Sequence, residues 1–164
     1  MSKCLVSKCL VSKCLVSKCL MSKVLINTEE LFWRAMDQTM FDLRDLPAEA
    51  GRPLTLAEED IFLAQLHSLA NRAVLDSGGK ISGFAYNRVV GDIAVTLSVE
   101  KGKEALATQY ASMLTDVLLY GMLHWWYSSK NPNLAAMYLA KYSEEYSRLV
   151  IGLRGIGRSQ GRYY

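Results

Sequence analysis

The stretch LTDVLLYGMLHWWYSSKNPNLAAMYLAKYSEEYSRL (residues 114–149) decides the fold. It opens as a helix: from Glu104 onward, Leu106, Tyr110, Met113, Leu114, Val117 and Leu118 recur at a period near 3.6. It then becomes apolar on every side through VLLYGMLHWWY. Such a run is too short, and too closely preceded by Asp116, to span a bilayer, so it predicts a helix buried against several neighbours, within a subunit or between subunits. SSKNPN breaks it, because Pro132 forbids continuation, and a last helix is predicted from Leu134. The stripe of that helix, Leu134, Tyr138, Tyr142, Tyr146, Leu149 and Leu153, is rich in tyrosine, a residue that suits a half-wet contact with another protein.

Working back toward the N-terminus, LAEEDIFLAQLHSLANRAVLDSGG follows a Thr55 to Glu58 capping box and places Phe62, Leu66, Leu69 and Ala73 on one face, with Gly78 or Gly79 as its end. Asn27 and Glu30 have the same capping spacing. They start a helix with Phe32, Met36, Met40 and Leu43 on its apolar side and Arg34, Asp37 and Gln38 opposite. Between the second and third helices, residues 80–100 change to β-branched and aromatic composition around the turn-like NRVVGD, which predicts a β-hairpin of Ile81–Tyr86 and Ile93–Val99.

The ends differ from this body. Residues 1–20 are SKCLV units with a period of five, echoed once more by SKVLI. An odd period gives neither a helix stripe nor a clean strand face, so residues 1–22 are expected to form a disordered extension. The final RGIGRSQGRYY, residues 154–164, is glycine-rich and aperiodic and reads as a flexible basic and aromatic tail. The expected fold class is mainly α: a four-helix-type bundle over residues 23–153 with a β-hairpin insertion, a flexible repeat before it and a flexible tail after it.

Charge and chemistry narrow the function. The net charge of +3 is a product of the repeat lysines; residues 21–164 hold 15 basic against 16 acidic groups, and residues 21–147 hold 11 against 16. An acidic body with a basic end is the resulting pattern. All four cysteines lie in the repeat at C-x4-C spacing, which is not that of zinc modules, so neither a metal site nor a cofactor is expected, and the chain reads as intracellular. Phosphate-loop, nucleophile-elbow and metalloprotease motifs are missing, and GLRGIG follows a helix instead of opening one. His67 reads as a solvated residue of the second helix, His124 as a packed or interface residue, and Glu58, Glu59 and Asp60 as acids complementing a helix N-terminus. No catalytic residue, and no enzyme, is expected.

The order of elements, and above all Thr115 to Leu149, resembles the head-to-tail adaptor (neck or connector) proteins of tailed bacteriophages. In that family a D-x-L-L-Y-G-x-L helix, a short polar break and a Y-x-x-x-Y-x-x-x-L helix follow one another. Here Asp116, Leu118, Leu119, Tyr120, Gly121 and Leu123 match the first motif; Tyr142, Tyr146 and, one place late, Leu149 or Val150 match the second. The repeat has no counterpart in the family, and the link between hairpin and long helix is shorter than in many members. The resemblance implies a virion neck protein: a ring homo-oligomer, usually a dodecamer, bound to portal and tail proteins, with DNA passing through it ungripped and no membrane contact. The residues expected to meet partners are Trp125, Trp126, Tyr138, Tyr142, Tyr146, Arg154, Arg158, Arg162, Tyr163 and Tyr164. The alternatives are a nucleic-acid-binding module that grips phosphates with the basic tail, and a small helical interaction protein.

Overall fold

A computed structural model of the chain describes residues 19–77, 81–87, 92–100 and 105–155. It is mainly helical, with a small antiparallel sheet. In chain order the elements are β1 (Cys19–Asn27), α1 (Thr28–Leu43), α2 (Glu59–Asp76), β2 (Ile81–Asn87), β3 (Asp92–Glu100), α3 (Ala105–Tyr127) and α4 (Pro132–Gly155). Short 3₁₀ turns, Ala48–Ala50 and Leu56–Glu58, fill the link between α1 and α2.

The all-round apolar character of α3 finds its explanation inside one chain. Val117, Leu118, Leu119, Met122, Leu123, Trp126 and Tyr127 are all buried, because α1, α2, α4 and the sheet pack around this helix. Antiparallel α4 is its main partner, joined through the turn at Ser128–Lys130. Asn131 caps α4: its Oδ1 accepts from the Leu134 N–H at 3.1 Å, and Pro132 takes the first helical position, where its missing N–H costs nothing. The helix therefore starts two residues before the expected Leu134. It also runs on through Arg154 and Gly155, which glycine content alone would place in the tail. Close approach at that end fits Gly152, since a Cβ there would stand 2.7 Å from the Tyr110 ring.

Both predicted helix starts form. Asn27 Oδ1 accepts from the Glu30 N–H at 2.8 Å, and the Thr55–Glu58 box is reciprocal. The α2 face is as expected apart from Ala70, which is buried where Leu69 is half-buried. In α1 the face is displaced. Thr28, Leu31, Phe32, Ala35 and Thr39 are buried, whereas Met40 is exposed. Thr39 is tolerated there because its hydroxyl is satisfied: Oγ1 donates to the Met36 carbonyl and accepts from the Leu54 N–H, both at 2.9 Å.

The predicted hairpin is β2–β3, with a register irregularity between Ser82 and Phe84, next to Gly83. A third strand was not expected. The sheet order is β1-β3-β2, and β1 pairs with β3 without interruption from Cys19↔Glu100 to Asn27↔Asp92. Residues 19–22 consequently belong to the sheet and not to a disordered extension. The odd period of the repeat hid this: in the last unit, Val24 and Ile26 point toward the core and Lys23 and Leu25 away from it, a period-two pattern that one unit can sustain although the series cannot. The remainder of the expected extension, residues 1–18, and the tail beyond Gly155 lie outside the described residues.

Candidate interaction surface

The residues expected to meet partners divide sharply. Tyr138 is only 1% exposed and is an internal residue, which corrects its assignment to a contact surface. Its hydroxyl donates to Asp42 Oδ2 at 2.6 Å, and the buried Tyr127 donates to the same oxygen at 3.3 Å. Gln38 Nε2 holds the other oxygen, Oδ1, at 2.8 Å. The two tyrosine rings lie nearly parallel at 5.9 Å, so one carboxylate of α1 ties the ends of α3 and α4 together. Burial foremost, and then the Asp42 carboxylate, raises both phenols well above the usual tyrosine value.

Tyr142 and Tyr146 are half-buried and stacked at 5.6 Å on the side of α4 that meets α2. Burial and the Asp76 carboxylate push Tyr146 up to about 12. The tyrosine stripe was placed correctly on the helix, but it faces the core. Tyr138 can bury its ring because the Asp42 carboxylate receives its hydroxyl, and neither composition nor periodicity reveals that such a group is near.

Trp126 is buried as well, contrary to its expected contact role. Its Nε1 donates to the Arg52 carbonyl at 3.2 Å, and the Lys130 ammonium sits 3.6 Å from its ring centre. Arg52 is itself paired with Glu58 at 2.7 Å. Asn131 Nδ2 donates to the Ala50 carbonyl at 3.0 Å, so the α1–α2 link is strapped across the α3–α4 turn. Burial, followed by the Arg52 charge, lowers the Lys130 ammonium below its ordinary value. Trp125 is half-buried beside Trp126, with ring centres 6.2 Å apart. His124 Nδ1 lies 3.0 Å from the Ala135 carbonyl and fastens α3 to α4. His67 is half-buried, with its Nε2 out of solvent, where a solvated residue was expected. Among the described residues no group of three or more His, Cys, Asp or Glu stands ready for a metal ion. Arg154 lies in α4, while Arg158, Arg162, Tyr163 and Tyr164 fall outside the described residues.

The outer surface offers other residues. Trp33, Met40 and Phe41 of α1 are exposed, as are Ile61 and Leu75 of α2 and Ile151 of α4. Phe41 edges a groove of about 520 Å³ between α1 and α4, floored by Leu119 and Tyr120 of α3. Lys141 crosses its far wall, 5.6 Å from the Tyr120 ring and 5.1 Å from the Tyr138 ring. Arg34 bridges to Asp116 at 3.2 Å along the same trough. The available signal was the run of apolar residues in α1, Leu31–Phe32–Trp33 and Met40–Phe41, which together span more of the helix circumference than one core-facing stripe. Polar and charged residues (Arg34, Asp37, Gln38, Lys141) line the trough alongside apolar and aromatic ones (Phe41, Leu119, Tyr120, Tyr138). Among the described residues no helix is long and apolar enough to cross a membrane. Comparisons with protein-family models, with curated proteins and with solved structures each give no match.

Proposed function

We propose that the chain is a structural virion protein, a head-to-tail adaptor whose copies form a ring between portal and tail. The observation that carries the proposal is the α3–α4 hairpin: the segment matching the adaptor motifs forms two long antiparallel helices separated by a short polar turn, the element order of that family. On this reading the four helices constitute a bundle, and the exposed apolar residues of α1, α2 and α4 supply contacts between copies. An acidic body lets DNA slide past, because few cations are offered to its phosphates. Arg148, the first arginine after the last acid in the sequence, is neutralised by Glu144 at 2.6 Å and Glu145 at 2.8 Å, which leaves less free basic charge on α4 for a nucleic-acid grip. No catalytic role is assigned.

Light scattering and negative-stain images of the purified protein test this reading. A closed ring, with little affinity for bare duplex DNA, is the expected result. A monomer that binds duplex DNA with steep salt dependence would replace the adaptor reading with the nucleic-acid one.

A further inference from the structure

The SKCLV units of the N-terminal repeat resemble in sequence the SKVLI segment of β1. Among the described residues, in the sheet order β1-β3-β2, β1 pairs on one side only, along nine residues with no break in register, so toward them its other side presents a row of backbone donors and acceptors. It carries no proline and no bulge to blunt that edge. Within β1 the sequence Ser22–Ile26 is SKVLI: Val24 and Ile26 pack toward the core, Leu25 is 61% exposed and Lys23 is exposed. Residues 2–6, 7–11 and 12–16 are each SKCLV. Their third and fifth positions are Cys and Val, so each unit has the inward and outward chemistry of β1 itself.

Beside the edge there is room. A recess of about 290 Å³ is lined by Leu25 and Ile26 of β1, Leu31 and Arg34 of α1 and Ser112 and Thr115 of α3, and among the described residues none of β3 lines it. Its place beside Leu25 and Ile26 and away from the described part of β3 puts it next to the outer edge of β1, within reach of the side chains of an added strand. We propose that this edge accepts an SKCLV unit of a second copy of the chain, which adds as an outer strand and seats its Cys and Val toward the recess. The donor comes from another copy because residues 1–20 contain none of the Gly, Pro, Asn or Asp that most favour a tight hairpin, which disfavours turning a unit back onto its own β1. Donor and acceptor are different parts of the chain, so the contact is head-to-tail and propagates from copy to copy. The inference does not depend on the virion reading.

Two full-length variants test it, kept in reductant so that Cys4, Cys9 and Cys14 cannot cross-link. Ser112→Trp fills the recess from an exposed position and disables the acceptor; Ser112→Arg serves the same purpose if the tryptophan perturbs folding. Val6→Lys combined with Val11→Lys and Val16→Lys disables the donor. By light scattering, the wild-type mass should climb with concentration. Each variant alone should lose that climb, and an equimolar mixture should regain one pairing between the two variants and grow no further. Association of either variant like the wild type, or failure of the mixture to pair, overturns the proposal. Equal masses for wild type, both variants and mixture would overturn it too, and a ring held by helix faces alone would give that result without harm to the virion reading. A wild type that never associates also rules it out.

Discussion

At the scale of single residues, Asp42 ties the aromatic centre together. It receives Tyr138 at 2.6 Å and Tyr127 at 3.3 Å on one oxygen, and Gln38 at 2.8 Å on the other. A phenol that donates to a charged carboxylate contributes about 1.5 to 3 kcal/mol. Tyr138→Phe should therefore lower stability at neutral pH by roughly 2 kcal/mol while keeping the ring packing. The pH dependence follows from the raised phenol values. The folded state holds its tyrosine protons where the unfolded chain, titrating near the ordinary 10.0, has begun to lose them. Stability is then complete below that value and declines as pH rises above it. In Tyr138→Phe the decline should be shallower by about one proton, because one such group is gone. Urea unfolding at pH 7 and again above pH 10 measures both effects. An unchanged alkaline slope would mean that Tyr138 does not keep its proton through the folded state.

At the scale of elements, the two helices of the deciding stretch meet more closely at one end than side chains ordinarily permit. The Tyr110 hydroxyl donates to the Gly152 carbonyl at 3.2 Å, and a Cβ on Gly152 would lie 2.7 Å from the ring. Gly152→Ala is then a contest: alanine gains about 1 kcal/mol of helix propensity, while crowding a packed ring costs roughly 1 to 3 kcal/mol. Crowding should win, with a net loss of about 1 kcal/mol and displacement of Tyr110; thermal melting with tyrosine fluorescence reads both. A gain in stability would show that the α3–α4 contact yields there at no cost. Helix starts, the hairpin and the α3–α4 break were legible because caps, turns and 3.6-residue spacing are local properties of the chain. Strand β1 was not, since its pairing with β3 spans some seventy residues and its one good unit sits at the end of an out-of-phase series. The α1 face was misread for a related reason: Thr39 is buried because the distant Leu54 N–H needs its hydroxyl, and Met40 is displaced outward as a result. Of the expected contact residues, Trp126 and Tyr138 failed likewise, their polar atoms being met by Arg52 and Asp42 from other elements.

For the whole molecule, the boundary between body and repeat falls where the sheet begins, and a truncation series locates it. Residues 1–18 precede β1, so their removal leaves every described contact in place and should shift the melting temperature by no more than a degree or two. Extending the cut through Asn27 removes much more. The buried Ile26 alone contributes about 1.5 to 3 kcal/mol of apolar burial, and the Asn27 cap of α1 about 0.5 to 2 kcal/mol. β3 would also lose its partner along nine residues and become an edge. Together these losses approach the roughly 5 to 15 kcal/mol that holds a domain of this size folded. The longer truncation should therefore melt broadly or not at all, while the shorter one melts cooperatively. Far-UV circular dichroism on heating separates the outcomes. If both proteins melt as sharply as the full chain, β1 is an accessory strand and the helices close the core without it. If the shorter cut already destroys the transition, residues before Cys19 pack on the body, and the repeat is as much a part of the fold as the strand it copies.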